Sequence, residues 1–209
     1  MKFEKISEKE YRKFWAKRIG RIEAEEQKEE RVAYFLEKMP LPTRKTGFSA
    51  GYDFTLPETV RIEAGAQIII PTGIKVQLDE DKVLEMHIRS SYGIKKNLVV
   101  ANVVGIIDSD YYNNKDNEGH ILMCLWNRGK EAIIIERGQA FCQGIIKQFF
   151  LVEGDEYGKG AERVGGTGST DVDVDVTEAP KADVKPEKSD VANHASGQGK
   201  RVDKKHNNK

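Results

Sequence analysis

The chain has 209 residues, which allows one domain of ordinary size with extensions, or at most two small ones. Lys+Arg and Asp+Glu each number 34, so no overall charge argues for a nucleic-acid or membrane partner. No apolar run approaches membrane-spanning length, the charged N-terminus lacks a signal-peptide core, and Cys124 and Cys142 lie in apolar runs without metal-ligand spacing, so the expectation is a soluble cytoplasmic protein.

Residues 1–39 read as a helical extension. Ser7 with Glu10 fits a capping box, in which each side chain satisfies a backbone donor at the helix start. Tyr11, Phe14, Trp15, Ile19 and Ile22 recur at helical spacing and form one apolar stripe. Such a stripe either packs on its own domain or subunit neighbour, the commoner outcome, or docks another protein. Glu23 to Arg31 is almost entirely charged and reads as a solvated face. Val32, Tyr34, Phe35 and Leu36 restore apolar character before Pro40 and Pro42 stop the helix.

From residue 40 the character changes. Short Val- and Ile-rich runs alternate with Gly, Pro, Asn and Asp: Gln67–Pro71, Gly73–Leu78, Val83–Ile88, Leu98–Val104, Ile121–Trp126, Ala132–Ile135 and Gly144–Phe150. Strands of this length predict an all-β sandwich or barrel, with turns at Pro71–Gly73 and Asn127–Gly129. No helical pattern of 10–15 residues separates them, which argues against a parallel βαβ sheet. The β domain extends to residue 170, its last ten residues (161–170) forming a Gly-rich segment that could close over a ligand. Residues 171–209 are nearly devoid of large apolar side chains, a composition that cannot offset its ordering entropy and predicts a disordered tail.

Five polar runs carry the chemistry. In Val104-Gly-Ile-Ile-Asp108-Ser-Asp110-Tyr111-Tyr112, apolar residues precede a carboxylate beside two rings, which reads as a buried strand delivering Asp108 to a pocket edge. A carboxylate there can serve as a general base on water; taken alone, the run is more often an ordinary strand end with an Asp-rich turn. Asp110 shares a face with Asp108 if the strand continues. Arg89-Ser90-Ser91 supplies a fixed cation and two hydroxyls, the donors a triphosphate needs, or else a structural ion pair. The other runs are Ser49–Asp53, Arg137–Gln143 and Arg163–Thr170.

In order and interval these five runs resemble the motifs of trimeric dUTP diphosphatases (dUTPases). The resemblance spans residues 40–170 and implies a jelly-roll-like core, a homotrimer with shared active sites, and hydrolysis of dUTP to dUMP and pyrophosphate. It implies Asp108 as the general base for water attacking the α-phosphorus. It further implies Arg89, Ser90, Ser91 and Gln143 on the phosphates, with Ser91 near the α,β bridging oxygen. Tyr111 would pack under the deoxyribose, excluding a 2′-hydroxyl, while Asn102 and Gly105 belong to the segment that embraces uracil. Arg163 would contact the γ-phosphate, Gly168, Ser169 and Thr170 would close over it, and Asp53 would support an arginine or the water site. Mg²⁺ is implied as a partner of the triphosphate, held by phosphates and water rather than by a protein cage.

The chain departs from the family pattern in three places. Thr167 stands where an aromatic residue usually stacks on uracil, and the fifth motif is one residue shorter between Arg163 and the paired glycines. Loss of that stacking contact corresponds to roughly 1–3 kcal/mol by analogy with base stacking. Tyr112-Asn113 replaces a residue–glycine pair and opens a longer polar loop, 112–119. The N-terminal helix is absent from most small members; extended, phage-encoded relatives exist, and some bind regulatory proteins. A regulatory protein using the helix or the 112–119 loop is therefore the alternative function. A dCTP deaminase shares the Arg-Ser-Ser run but needs a glutamate where this chain has Cys124, a poor acid/base in an apolar strand.

Overall fold

Alternating side chains build the sheets of this protein. The computed structural model describes residues 1–18, 25–160, 163 and 166. The strands are β1 (Lys2–Lys5), β2 (Tyr52–Thr55), β3 (Val60–Ile62), β4 (Gln67–Pro71), β5 (Ile74–Gln77), β6 (Lys82–Ile88), β7 (Leu98–Val100), β8 (Gly105–Ile107), β9 (Leu122–Asn127), β10 (Ile133–Ile135) and β11 (Ala140–Gln148). Helices α1 (Glu8–Arg18) and α2 (Glu25–Ala33), with a π-helical turn at Tyr34–Lys38, precede β2, and α3 (Ser90–Lys96) follows β6. Every pairing is antiparallel: β2-β11-β6-β8, β4-β9-β7, β1-β5 and β10-β3. The all-β expectation therefore holds.

In β9, Met123, Leu125 and Asn127 are buried while Leu122, Cys124 and Trp126 are half-buried, the period-two pattern of a strand with one core face. Asn127 is buried because its amide donates to the carbonyls of Ile62, Glu63 and Glu131 at 2.8–3.1 Å, tying the turn after β9 to β3. One apolar core runs through Phe54, Leu56, Ile62, Ile70, Leu84, Met86, Leu98, Leu125, Ile135 and Phe141.

Several expectations need correction. Residues 1–39 are not uniformly helical, because β1 pairs with β5 over Lys2–Gln77 to Lys5–Ile74. Backbone pairing to a neighbouring strand overrides the polar composition of Lys2–Lys5. The strand expected over Leu98–Val104 ends at Val100, where a tight turn holds Val103 at φ 68, unusual for a β-branched residue. The run before Asp108 is a three-residue edge strand, with Ile106 half exposed, rather than a buried one. The last strand begins at Ala140, four residues earlier than expected, because a bulge against β2 turns both Phe141 and Cys142 to the core and breaks the alternation. Burial pushes the Cys142 thiol well up, and both cysteines are free.

The extension packs onto its own domain. Tyr11 and Phe35 are buried and stacked with ring centroids 4.0 Å apart, and Val32 and Met39 join the same core. Tyr11 also donates to Glu58, which pairs with Arg31 at 2.6 Å. The expected capping box forms by half: the Glu10 amide donates to Ser7 Oγ at 3.1 Å, but the Ser7 amide donates to Glu118, not to Glu10. Ile19 and Ile22 lie outside the described residues.

His120 lies under α1, fully buried, with the Phe14 ring 5.4 Å away in edge contact. Its Nε2 accepts the Gly73 amide at 3.0 Å. Burial drives its pKa from the ordinary 6.5 down to about 3. The unfolded chain therefore binds a proton below pH 6.5 that the folded chain refuses until about pH 3. Stability should fall through that window by at most about 1.4 kcal/mol per pH unit from this residue. Melting curves between pH 7 and 4 check this. His120→Gln keeps an acceptor for Gly73 and should show a shallower acid decline than the wild type; parallel declines would refute the assignment.

Candidate functional site

The residues read from the sequence gather in two places. The first is a pocket of about 250 Å³ lined by Lys45, Ser49, Gly51, Asp53, Arg89, Ser90, Ser91 and Gln143. Arg89 stands between β6 and α3, and its Nε lies 3.4 Å from Asp53 Oδ1 on β2, while an Nη donates to the Ala140 carbonyl at 3.2 Å. That pairing orients the guanidinium and leaves it about one third exposed. Ser90 and Ser91 form the exposed first turn of α3, a helix the sequence reading did not anticipate. Gln143 sits on β11 directly opposite Asp53 on β2. A Cβ on Gly51 would fall 2.5 Å from Gln143 Oε1, so a larger residue there would push that amide aside.

The second place is a cleft of about 640 Å³ at the open edge of β8, lined among others by Asn102, Gly105, Asp108, Tyr111, Arg163 and Gly166. Asn102 lies in the tight turn that carries Val103. Gly105 packs its Cα against β6, where a Cβ would come within 3.1 Å of Met86 Cβ. The strand stops at Ile107, and Asp108 leads into a 3-10 turn over Ser109–Tyr111. Asp108 and Asp110 therefore do not share a strand face. The turn still brings both carboxylates to one cation: Arg163 Nη2 donates to Asp108 at 2.6 Å and its Nε to Asp110 at 2.7 Å. Tyr111 is buried, and burial raises its pKa. Gly168, Ser169 and Thr170 lie outside the described residues, as does Thr167.

The register of the four-stranded sheet separates the two places. Ile107 pairs with Leu84, so Asp108 lies level with Val83, six residues from Arg89 along β6. At about 3.3 Å per residue that is roughly 20 Å. Within one chain, then, the arginine–serine pocket and the Asp108 cleft are apart. Sequence reasoning missed Lys45 in the first pocket and gave Ser49, the first residue of the Ser49–Asp53 run, no role; a cation just before that run was the available signal. It also missed Asn117 and Met123 in the second. Among the described residues, no three His, Cys, Asp or Glu side chains converge as a metal cage, and no helix is long and apolar enough to cross a membrane.

An antiparallel β-fold with one pocket suited to phosphate oxygens, and one cleft suited to a ring and a water-activating carboxylate, has the equipment of a nucleotide hydrolase. A family model described as dUTPase matches residues 37–170, and the chain belongs to that family. The chain is 47% identical over 130 residues to the deoxyuridine 5'-triphosphate nucleotidohydrolase of Lactococcus lactis, covering 62% of this chain and 87% of that protein. Its identity to the enzyme of the same name from Hahella chejuensis is 36% over 141 residues, covering 64% and 88%. Among solved structures, the dUTPase from Streptococcus mutans matches with a TM-score of 0.52 and 43% identity, covering 55% of this chain and 89% of that one.

Proposed function

We propose that this protein hydrolyses dUTP to dUMP and pyrophosphate. The observation that carries the reading is Asp108 at the free end of β8, beside Tyr111 in an open cleft, in a chain whose family match spans both half-sites. Asp108 takes a proton from a water that attacks the α-phosphorus in line, and pyrophosphate leaves. Arg89, Ser90, Ser91 and Gln143 hold the phosphates by charge-assisted hydrogen bonds. Tyr111 lies under the deoxyribose, and Asn102 and Gly105 border the base. Asp53 supports the site by holding Arg89 at 3.4 Å.

Arg163 adds a step. Its ion pair engages one oxygen, Oδ2, of the carboxylate that must accept a proton, and moving the arginine onto the phosphates frees that oxygen for water. A triphosphate offers it a competing anion, which agrees with a γ-phosphate contact for Arg163. Gly168, Ser169 and Thr170 would close behind it.

The roughly 20 Å between Asp108 and Arg89 supports a homotrimer in which each site draws its two halves from different subunits. Mg²⁺ would accompany the triphosphate, held by phosphate oxygens and water; the carboxylates of the Asp108 cleft could accept from its waters, while Lys45 and Arg89 of the other half-site suit the phosphate oxygens. When bound it withdraws charge from the phosphate oxygens. A cytoplasmic setting belongs to the same proposal and agrees with two free thiols.

Neither alternative gains support. The position matched to a deaminase glutamate is Cys124, a half-buried thiol on β9. The described part of the extension's apolar stripe turns inward, away from any partner protein. The test is pyrophosphate release by the purified protein with Mg²⁺, comparing dUTP, dCTP, UTP and dTTP. Turnover confined to dUTP is expected; a well-folded protein that turns over none of the four would overturn the reading.

A further inference from the structure

The loop after Tyr111 is long, polar and closed in on itself. Asn114 and Asn117 are both buried, although neither belongs to the five motif runs. Asn114 Nδ2 donates to the Tyr111 carbonyl at 2.9 Å and to Asn117 Oδ1 at 2.8 Å. Its Oδ1 accepts the amides of Asp116 and Asn117 at 3.0 and 3.1 Å. Asn117 Oδ1 also accepts the Gly119 amide at 3.1 Å, while its Nδ2 donates to the Tyr111 hydroxyl at 2.7 Å. That hydroxyl in turn donates to the His120 carbonyl at 3.1 Å. The phenol is thus clamped by one donor from the loop, Asn117, and one acceptor just after it, the His120 carbonyl.

The loop is itself braced from outside. Tyr112 hydroxyl donates to Glu4 on β1, Ser7 donates to Glu118 through both its amide and its hydroxyl, and Lys13 on α1 donates to the Asp116 carbonyl at 2.5 Å. Lys75 on β5 donates to Asn113 Oδ1 at 2.7 Å. Asn113 and Glu118 adopt left-handed backbone, at φ 56 and 58, where the loop doubles back. A loop of this length with free ends would let the Tyr111 ring drift. Here both flanks are tied to the extension and to β5.

We propose that Asn117 is a positioning residue for sugar recognition, fixing the Tyr111 hydroxyl and thereby the height of the ring against the nucleotide's sugar. Exclusion of a 2′-hydroxyl is a steric discrimination, and a steric wall works only if it cannot yield. Asn117 lines the same cleft as Tyr111 and Asp108, so its side chain acts at the site rather than at the loop's outer surface. The inference rests on the dUTPase reading of that cleft.

The test compares kcat/KM for dUTP and for UTP in the full-length wild type, Asn117→Ala, Asn117→Asp, Tyr111→Phe and the Asn117→Ala/Tyr111→Phe double variant, well below each melting temperature. Loss of one hydrogen bond of about 1.4 kcal/mol corresponds to about tenfold, so Asn117→Ala and Tyr111→Phe should each lower the dUTP:UTP ratio by about that factor. The double variant should fall no further than Tyr111→Phe, because removing the hydroxyl already removes the bond that Asn117→Ala breaks. Asn117→Asp keeps an acceptor for Gly119 and Asn114 but cannot donate to Tyr111, and the phenol can bond the new carboxylate only by releasing the His120 carbonyl, so half of the clamp is lost either way and discrimination should fall. It carries the test if Asn117→Ala does not fold. An unchanged ratio in the folded variants, or additive losses in the double, would make Asn117 a purely structural residue. A wild type inactive on dUTP would instead remove the underlying reading, and this proposal with it.

Discussion

Asp108→Asn is expected to bind dUTP with nearly wild-type affinity and to turn it over about 10²–10⁴-fold more slowly, the range general-base catalysis contributes. The substitution changes charge and basicity while leaving shape almost intact. An amide oxygen can still accept from Arg163 Nη2, which now donates to Asp108 at 2.6 Å, and Asp110 retains its own 2.7 Å bond to Nε. The cleft should therefore keep its form, yet an amide cannot take a proton from water. Steady-state pyrophosphate release measures turnover, and calorimetry with a non-hydrolysable dUTP analogue measures binding. If kcat is unchanged and only KM rises, Asp108 is a binding residue and another group activates the water. The comparison with Asp110→Asn separates the two carboxylates held by the same arginine, since only Asp108 lines the cleft beside Tyr111.

How much of this was legible beforehand differs by element. The strand Gln67–Pro71 and the cores of β5, β6, β9 and β10 could be read directly, because short Val- and Ile-rich runs bounded by turn residues leave few alternatives. β2 and β3 were not among the runs read as strands; each is short, and Tyr52–Asp53 reads as a motif before it reads as a strand. β1 was hidden for a different reason, since Lys-Phe-Glu-Lys offers a single apolar side chain and owes its extended form to pairing with β5. For the site, residue types were legible but their grouping was not. Nothing in the linear order says that Arg89 and Asp108 occupy opposite ends of the β6–β8 pair; that follows from register, a property of two strands. The Arg163 bridge to both aspartates needed the strand to break after Ile107, and the sequence left open whether it would continue. The clamp on Tyr111 appeared in the sequence only as an Asn-rich loop.

Removing residues 1–38 is expected to cost the β domain its stability, because the extension supplies part of the core rather than decorating it. Phe35 is fully buried, stacked on Tyr11, and its ring fills the space above Gly73, where a Cβ would meet Phe35 Cε2 at 2.7 Å. Gly73 adopts φ 72, so the backbone itself is shaped to admit that ring. Truncation would also strip β5 of its partner β1 and leave Glu58 without Arg31 or Tyr11. The single change Phe35→Ala isolates the packing contribution. A cavity of that kind should cost about 3–5 kcal/mol and lower the melting temperature by roughly 10 °C in a chain of this size. The consequence for activity follows from the same contacts, since Glu4, Ser7 and Lys13 hold the loop beside Tyr111. A destabilised extension should therefore weaken discrimination against UTP before the core melts. A truncated protein that melts and discriminates like the full chain would show that the extension is separable, and would return its apolar stripe to the role of a docking surface.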